Sequence, residues 1–575
     1  MKNSHRLILI GILTSHFLFL LPLVSSSQSP GWLWANEFGE SNDDEALSIV
    51  TNTAGNVYTT GHFSGTVDFN PGVGVYNLTS FSSGSFISKL DPSGNFLWAK
   101  AIEAWSYSIT LDALGNVYVT GYFWGTKDFD PNAGIYNMTA TGFSDIFILK
   151  LSSSGNFVWA NRMGGSAFAN GLSISVDSTT NIYTTGYFSG TVDFDPGAGT
   201  HNITAYGDSD VFIAKLNSAG NLLWAKNFGG TGLGIAYSIA CDPVSNGDVY
   251  ATGYFTGTAD FDPGPGVYNL VCSSSIYPNT FVLKLNSSGN LIWAKVLGGG
   301  DIRSKTLAVD PTGNRDVCFG GSFKWTVDFD PGTGTYPLTS SGNEDIFISR
   351  LDSSGTFVWA KAMGGTAVDA GNCLVIDPFG NIYVTGFFQA TADFDPGPGT
   401  FNLTSPARSP FITKADSNGN LIWAKSALPD IFGVASSDNG KALTLNSSGH
   451  VFVCGYFTSS SIIFGPAYLL QSGGTDAFIA KLDTAIVTSL PTPERERYFS
   501  MYPNPVTSEF VINQVNWNKN LEISILDYSG RQVFRKTYGD SKVLKIDTRD
   551  FAQGVYTLRI IFDDAIENWK FIIAK

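Results

Sequence analysis

The stretch Gly31-Trp-Leu-Trp-Ala-Asn-Glu-Phe38 contains the first of seven Trp-Ala-Lys or Trp-Ala-Asn segments, which fall at Trp34, Trp98, Trp159, Trp224, Trp293, Trp359 and Trp423. A second segment, Phe-Ile-x-Lys-Leu with variants, also occurs seven times, its basic residue at Lys89, Lys150, Lys215, Lys284, Arg350, Lys414 and Lys481. Each of the first six basic segments is soon followed by its Trp segment, whereas Lys481 is followed by none and Trp34 is preceded by none. A ring of repeats whose first strand completes its last repeat produces this offset.

The third repeat shows the unit. Leu172 to Val176 alternates apolar and polar residues, the region Asp177–Asn181 turns, and Ile182 to Phe188 forms a second strand. A long connection from Ser189 to Thr204 precedes the third strand, Val211 to Leu216, and the turn Asn217-Ser-Ala-Gly-Asn221 leads into the Trp224 strand. Four strands separated by Gly, Asn and Ser turns make one propeller blade, which buries both faces only when neighbours stack on it. Second strands starting near Val57, Val117, Ile182, Val249, Val317, Ile382 and Val451 give seven blades of about 65 residues each. The fold class expected is all-β: a seven-bladed β-propeller over 28–483, closed by its N-terminal strand. The Trp residues, on outer strands, are expected to fill the wedges between blades.

A chain of 575 residues is long enough for two or more domains. With a net charge of -15 and no Lys/Arg cluster it lacks the basic surface that phosphate binding needs, so nucleic acid is excluded as a partner. Residues 1–27 carry Lys2 and Arg6, an apolar run from Leu7 to Val24, and Ser25 to Ser27, which reads as a secretory signal peptide. No later stretch is apolar enough to span a bilayer, so no transmembrane span is expected in the mature protein. The cysteines Cys241, Cys272, Cys318, Cys373 and Cys454 occupy different points of their repeats, which favours buried thiols over a disulfide framework.

The motifs Asp-Phe-Asp-Pro-Gly, Phe-Ile-x-Lys-Leu and Ser-Gly-Asn-x-x-Trp-Ala-Lys resemble the seven-bladed β-propeller repeats of secreted bacterial proteins. The repeats stop after Leu482, and 484–498, with its prolines and charges, reads as a linker. From 499 to 575 a small β unit follows, with apolar segments at Phe510–Ile512, Leu521–Leu526, Gln532–Lys536, Val555–Phe562 and Lys570–Ile573. Tyr502-Pro-Asn-Pro505, the turn Asp527-Tyr-Ser-Gly-Arg531, Gly554-Val-Tyr556 and Lys570-Phe-Ile-Ile573 are similar to the C-terminal sorting domain of the type IX secretion system. That resemblance implies an Ig-like β-sandwich, the type IX machinery as partner through 499–575, and a protein secreted or attached to the outer-membrane surface.

The long connection carries paired acids at Asp128 and Asp130, Asp193 and Asp195, Asp260 and Asp262, Asp328 and Asp330, and Asp393 and Asp395, while the first repeat has Asp68 and Asn70. Since the connection between second and third strands leaves the top of a propeller, these loops are expected on the top face. In extended chain residues i and i+2 point the same way, so the carboxylates share one face and Phe takes the other. Three readings follow: turn caps before Pro-Gly, ligands for Ca²⁺ with nearby carbonyls, or direct contact with a glycan. The seventh repeat, Ser461-Ile-Ile-Phe-Gly-Pro466, has no acid. Beyond calcium no cofactor is expected.

The turn Asp352-Ser-Ser-Gly-Thr-Phe-Val-Trp359 resembles the Asp-box of sialidases and the Trp repeats of quinoproteins only loosely, its spacings being longer than an Asp-box and its Trp part of a hairpin. Propeller histidines are His62, His201 and His450, and its arginines Arg162, Arg303, Arg315, Arg350 and Arg408, so neither a triad nor a zinc cluster can be assembled. Asp301, Asp369 and Glu103 are acids outside the repeat pattern and read as solvated surface. The expected function is that of a non-catalytic binding or scaffold protein for an extracellular glycan or protein. The alternative is a polysaccharide hydrolase or lyase using carboxylates of the central pore, for which non-repeated Asp, Glu, Tyr and Arg would converge at one mouth of the channel.

Overall fold

The computed structural model describes residues 30–484 apart from 41, 244–246, 275 and 430–435, and 499–573 apart from 503–505, 507, 515–520, 528–530, 539–542 and 563–564. The expected signal peptide, all but the first residue of the linker, and the central residues of the Tyr502–Pro505 and Asp527–Arg531 motifs lie outside the described residues. Every regular element among the described residues is a β-strand. Contacts divide the chain into two compact units, Met1–Val487 and Thr488–Lys575.

In the larger unit each repeat forms an antiparallel four-stranded sheet. In the third repeat the order is Ala169–Val176, Ile182–Phe188, Asp210–Leu216, Leu222–Gly230. The two middle strands are buried along almost their whole length, because neighbouring sheets cover both faces. In the seventh sheet Asn439–Leu445, Val451–Phe457 and Asp476–Leu482 are joined by Trp32–Phe38, with Trp34 opposite Lys481 and Phe38 opposite Ala477. The innermost strands Glu45–Thr51, Trp105–Leu111, Ala169–Val176, Gly234–Cys241, Asp301–Val309, Ala370–Ile376 and Asn439–Leu445 pack in that cyclic order, the last against the first.

An innermost strand leaves one row of backbone donors without a sheet partner. Side-chain hydroxyls of the preceding sheet accept some of them: Ile109 N donates to Ser48 Oγ at 3.2 Å, Ile174 N to Ser108 Oγ at 3.3 Å, Ile239 N to Ser173 Oγ at 3.2 Å and Leu374 N to Thr306 Oγ1 at 2.9 Å.

In the third repeat the Trp, Lys and Tyr form one staple to the next sheet. Trp224 Nε1 and Lys215 Nζ of the third sheet donate to the Ser287 carbonyl in a turn of the fourth, at 3.1 and 3.2 Å. Lys215 also lies 4.9 Å from the centroid of the Tyr183 ring, which meets Trp224 edge-on. The indole covers Gly289, where an added Cβ would come within 3.0 Å of it. That glycine, at φ 77°, is therefore required twice over, by its left-handed conformation and by the close approach. Where Asn replaces Lys after Trp-Ala, its amide bonds the same turn, Asn36 to the Gly94 carbonyl at 2.9 Å and Asn161 to that of Gly220 at 2.7 Å.

The long connections fold as short hairpins, in the third repeat Thr191–Asp193 with Asn202–Thr204. Such a hairpin also extends the outer strand of the preceding sheet: Asp193 pairs with Gly164, Asp260 with Gly229 and Asp393 with Gly364. Its Phe is driven into the wedge between sheets, where Phe69, Phe129, Phe194, Phe261, Phe329 and Phe394 are all buried.

In the smaller unit one sheet holds Phe499–Tyr502, Glu509–Gln514 and Val543–Asp547, and another holds Gln532–Tyr538, Leu521–Leu526, Gly554–Phe562 and Ala565–Ile573. Phe510, Ile512, Leu544 and Ile546 of the first share a core with Ile523, Ile525, Leu558 and Ile560 of the second. The strands at Phe499–Tyr502 and Val543–Asp547 are additions to those expected; both are short, and their apolar residues count only once a partner strand fixes which face is inside.

Candidate functional site

The paired acids are turn caps. Asp193 Oδ1 accepts the amides of Asp195 at 3.0 Å and His201 at 2.8 Å, and Asp128, Asp260, Asp328 and Asp393 repeat the arrangement. Asp195 Oδ1 accepts the Gly197 amide at 2.8 Å, as do Asp262, Asp330 and Asp395 with their glycines and Asp130 with Asn132. Asn70 of the first repeat accepts the Gly72 amide at 2.9 Å, so this second position works as a cap without charge. In the third, fourth and sixth repeats the hairpin pairs with the last two residues of the preceding outer strand, and in the fifth Asp328 bridges Gly298. No group of three or more His, Cys, Asp or Glu that could hold a metal occurs among the described residues.

The acids outside the repeat pattern are also structural. Asp369, fully buried, accepts the amides of Gly365 at 2.7 Å and Gln389 at 3.0 Å, and so is not solvated surface. Asp44 and Asp438 do the same in the first and seventh repeats. Asp301 is held by both arms of Arg303, at 3.0 Å each. Glu103 accepts the Phe81 amide at 3.3 Å.

The repeat symmetry fails at the top of the central channel. Every innermost strand carries a β-bulge three residues or so after its start, and the bulged residues are Leu47, Tyr107, Leu172, Tyr237, Lys305, Asn372 and Lys441. A bulge leaves its residue outside the ladder and re-aims the side chain. All seven are half-buried, and no two neighbours share a chemistry. Beside them lie residues that follow the second-strand glycine: His62, Tyr122, Tyr187, Tyr254, Ser322, Phe387 and Tyr456.

Two arcs result. On one side an aromatic run leads inward from exposed Trp124: its ring lies 6.1 Å from Trp105 and 6.3 Å from Tyr122, Tyr122 stacks on Tyr107 at 5.8 Å, and His62 lies 4.6 Å from Trp105. Tyr237 and Tyr254 continue it, with hydroxyls 3.4 Å apart. On the other side stand Arg303, Lys305, Arg408 and Lys441. Arg408 covers Phe387 at 4.1 Å and Lys441 lies 5.0 Å from the Tyr456 centroid. Lys305 bonds Asn372 Oδ1 at 3.4 Å, and Asn372 Nδ2 donates to Asn439 Oδ1 at 2.7 Å, which links the fifth, sixth and seventh sheets.

The electrostatics couple the fifth to seventh sheets with one another and with the adjoining first sheet. Burial, then the Lys441 ammonium, lower the Lys305 pKa, Glu344 opposes the change, and Arg303 and Arg408 add to it. Burial raises the Glu45 carboxyl against the pull of Lys441. Burial also brings His62 down to about 4, helped by Lys441, so its imidazole is neutral near pH 7. Sequence reading missed this mouth. The bulge residue is visible only once the strand register is known, although Trp105, Lys305 and Lys441 could have been found as departures from their repeats.

Comparison with known proteins agrees with both units. Residues 500–574 match the family described as secretion system C-terminal sorting domain, so the chain carries an export address for the cell surface or the extracellular space. An uncharacterized WD repeat-containing protein, L264, of Acanthamoeba polyphaga mimivirus is 26% identical over 544 residues, covering 78% of this chain and 38% of that protein. The regulatory protein FlaEY of Caulobacter vibrioides is 25% identical over 396 residues, covering 64% of this chain and 39% of its own length. The chain thus spans about two fifths of the length of these curated relatives. A solved structure of a Bacteroides caccae protein of unknown function covers 60% of this chain and 96% of its own, with 13% identity and a TM-score of 0.27. The fold and tail define an exported all-β repeat protein of propeller type. No helix among the described residues is long and apolar enough to cross a membrane.

Proposed function

We propose that the protein is an exported, non-catalytic binding module whose ligand, a glycan or a protein, enters the mouth of the central channel. The observation that supports this reading is the loss of repeat symmetry there. A purely structural ring would fill seven equivalent positions alike, whereas the bulge ring alternates Leu, Tyr, Lys and Asn. Polar and aromatic side chains converging in a concavity are the usual marks of a binding site. The pore-carboxylate alternative, a polysaccharide hydrolase or lyase, needs a pair of acids free to act; at the mouth Asp301 is engaged by Arg303, and Glu45 and Glu344 are the carboxylates on which that alternative rests.

The full chain tested against arrayed glycans and secreted-protein fractions should show saturable binding that Trp105→Ala weakens. Release of a shortened or unsaturated product would replace the binding reading with the enzymatic one. Calcium at the paired carboxylates is a separate part of the proposal: the turn bonds use Oδ1 of each acid, and a melting temperature raised by Ca²⁺ and lowered by a chelator would support it. No response to either would remove calcium from the proposal.

A further inference from the structure

Among the positions where the channel mouth departs from the repeat, charge is segregated. The fifth to seventh sheets supply Arg303, Lys305, Arg408 and Lys441, and the second to fourth supply Trp105, Tyr107, Tyr122, Tyr187, Tyr237 and Tyr254. The acids whose charge reaches this arc are Asp301, Glu344 and Glu45. Among the described residues, none of Lys305, Lys441 or Arg408 forms an ion pair. In a chain of net charge -15, Lys305, Arg408 and Lys441, none of them in an ion pair among the described residues, join the Asp301-paired Arg303 and concentrate positive charge against the sign of the whole. The distant negative charges weigh little at the mouth, since salt screens exposed charge beyond about 8 Å at physiological ionic strength.

Resting on the binding reading above, we infer that the ligand is an acidic saccharide. Its carboxylate or sulfate group is received by Lys305, Lys441 and Arg408, and its sugar rings lie against the aromatic run from Trp124 to Tyr107. Flat aromatic faces with hydroxyl edges suit pyranose rings, which present C–H groups on one face and hydroxyls around the rim. Trp124 stands where the other repeats have Ser64, Ser189, Thr256, Lys324, Gln389 and Thr458, and it is exposed, as a side chain meeting an incoming polymer must be. The lysines suit an anionic group whose orientation varies, because an ammonium is a point charge, unlike the fixed fork of a guanidinium. A neutral glycan would leave the half-buried Lys305 and Lys441 without an anionic partner from the ligand, at a cost.

The test uses the full chain in calorimetric titrations with oligogalacturonate, a chondroitin sulfate fragment, a neutral cello-oligosaccharide and poly-glutamate. Binding of the first or second is expected, with the two arms separating carboxylate from sulfate. Raising salt from about 50 to 500 mM should weaken it by about tenfold or more. Lys305→Gln with Lys441→Gln should weaken it about tenfold while leaving the melting temperature within a few degrees, and Trp124→Ala should weaken it through the other arc. Arg408→Gln serves if the double variant does not fold. Equal binding of the neutral oligosaccharide, indifferent to salt and to the lysine variants, would overturn the acidic assignment and leave the binding module standing. Preference for poly-glutamate would overturn the saccharide. Absence of binding to all four probes would overturn this inference, and product release from any of them would overturn the binding reading as well.

Discussion

Trp34 and Lys481 lie opposite each other on the two outermost strands of the seventh sheet and donate to one acceptor, the Pro92 carbonyl of the first sheet, at 3.3 Å from the indole and 2.9 Å from the ammonium. In the third repeat the same two donors come from one hairpin, Lys215 and Trp224. Here they come from opposite ends of the repeat region, and the staple closes on the turn that holds Gly94.

Deleting Gly31–Phe38 should therefore lower the apparent melting temperature of the whole propeller by at least about 5 °C, since it removes Phe38 and Trp32 from two cores and exposes the Asp476–Leu482 strand as an edge. Trp34→Ala alone is expected to cost about 2 kcal/mol, less than a fully buried tryptophan. A deletion variant that melts like the intact protein would show that the N-terminal strand carries none of the ring's stability.

At Thr180 a β-branched residue holds φ at 67°, whereas the equivalent turns have Gly55, Gly115, Gly380 and Gly449. Thr180→Gly should stabilise by about 1 kcal/mol in urea unfolding, the relief of left-handed strain exceeding the entropy gained by the unfolded chain. Gly115→Thr should cost a comparable amount, because an added Cβ meets its nearest neighbour at an ordinary 3.5 Å and only the backbone strain counts.

Arg350 stands where other repeats have lysine, and it binds Asp310 at 2.5 Å, Asp316 at 2.9 Å and the Ser417 carbonyl at 3.0 Å. Arg350→Ala strands the buried Asp310 carboxylate and should cost about 3 kcal/mol. Restoring the repeat residue with Arg350→Lys should cost less, since the ammonium satisfies only part of that set. Thermal melts of the two variants measure the difference.

Near the closing strand burial pushes Glu37 up to about 7, with Asp476 adding to it, and Asp44 also up to about 7, while Asp476 reaches about 6. A carboxyl raised on folding binds its proton more tightly in the folded state, so this cluster's contribution is most favourable below the unfolded value and is lost as pH rises through about 4.5 to 7. Glu37→Gln should raise the melting temperature at pH 8 and have little effect at pH 4. An equal effect at both would show that ionisation of Glu37 is not what matters.

The cap role of the paired acids makes a graded prediction. Asp193→Asn keeps an oxygen for the amides of Asp195 and His201 and should change stability by well under 1 kcal/mol, whereas Asp193→Ala should cost about 1 to 2 kcal/mol. Urea midpoints of the two variants, compared with wild type, test it.

What was legible in the sequence follows from repetition, and what was not follows from relations that repetition does not carry. Trp224, Lys215 and Gly289 recur because each wedge between sheets poses the same packing problem, so blade number and the role of Trp34 could be read from spacing. The hairpin of Asp193 pairs with Gly164 of the preceding sheet, a relation between separate repeats that no local pattern encodes. Lys305 and Lys441 stand out as departures from their repeats, but their placement at the channel was hidden. Each stands at a bulge, so the period-two alternation slips there, and a channel-facing residue is indistinguishable from one on an outer surface.

The shared Pro92 carbonyl makes the ring a clasp whose two halves are produced at opposite ends of its synthesis. A chain emerging from its N-terminus carries Trp34 without its partner strand until Leu482 has followed, so this pairing forms only after the whole repeat region has been made. The last strand pairing also ends there, with the Asp483 amide on the Gly31 carbonyl at 2.8 Å. Trimming beyond that bond would remove the export address and leave the clasp fastened.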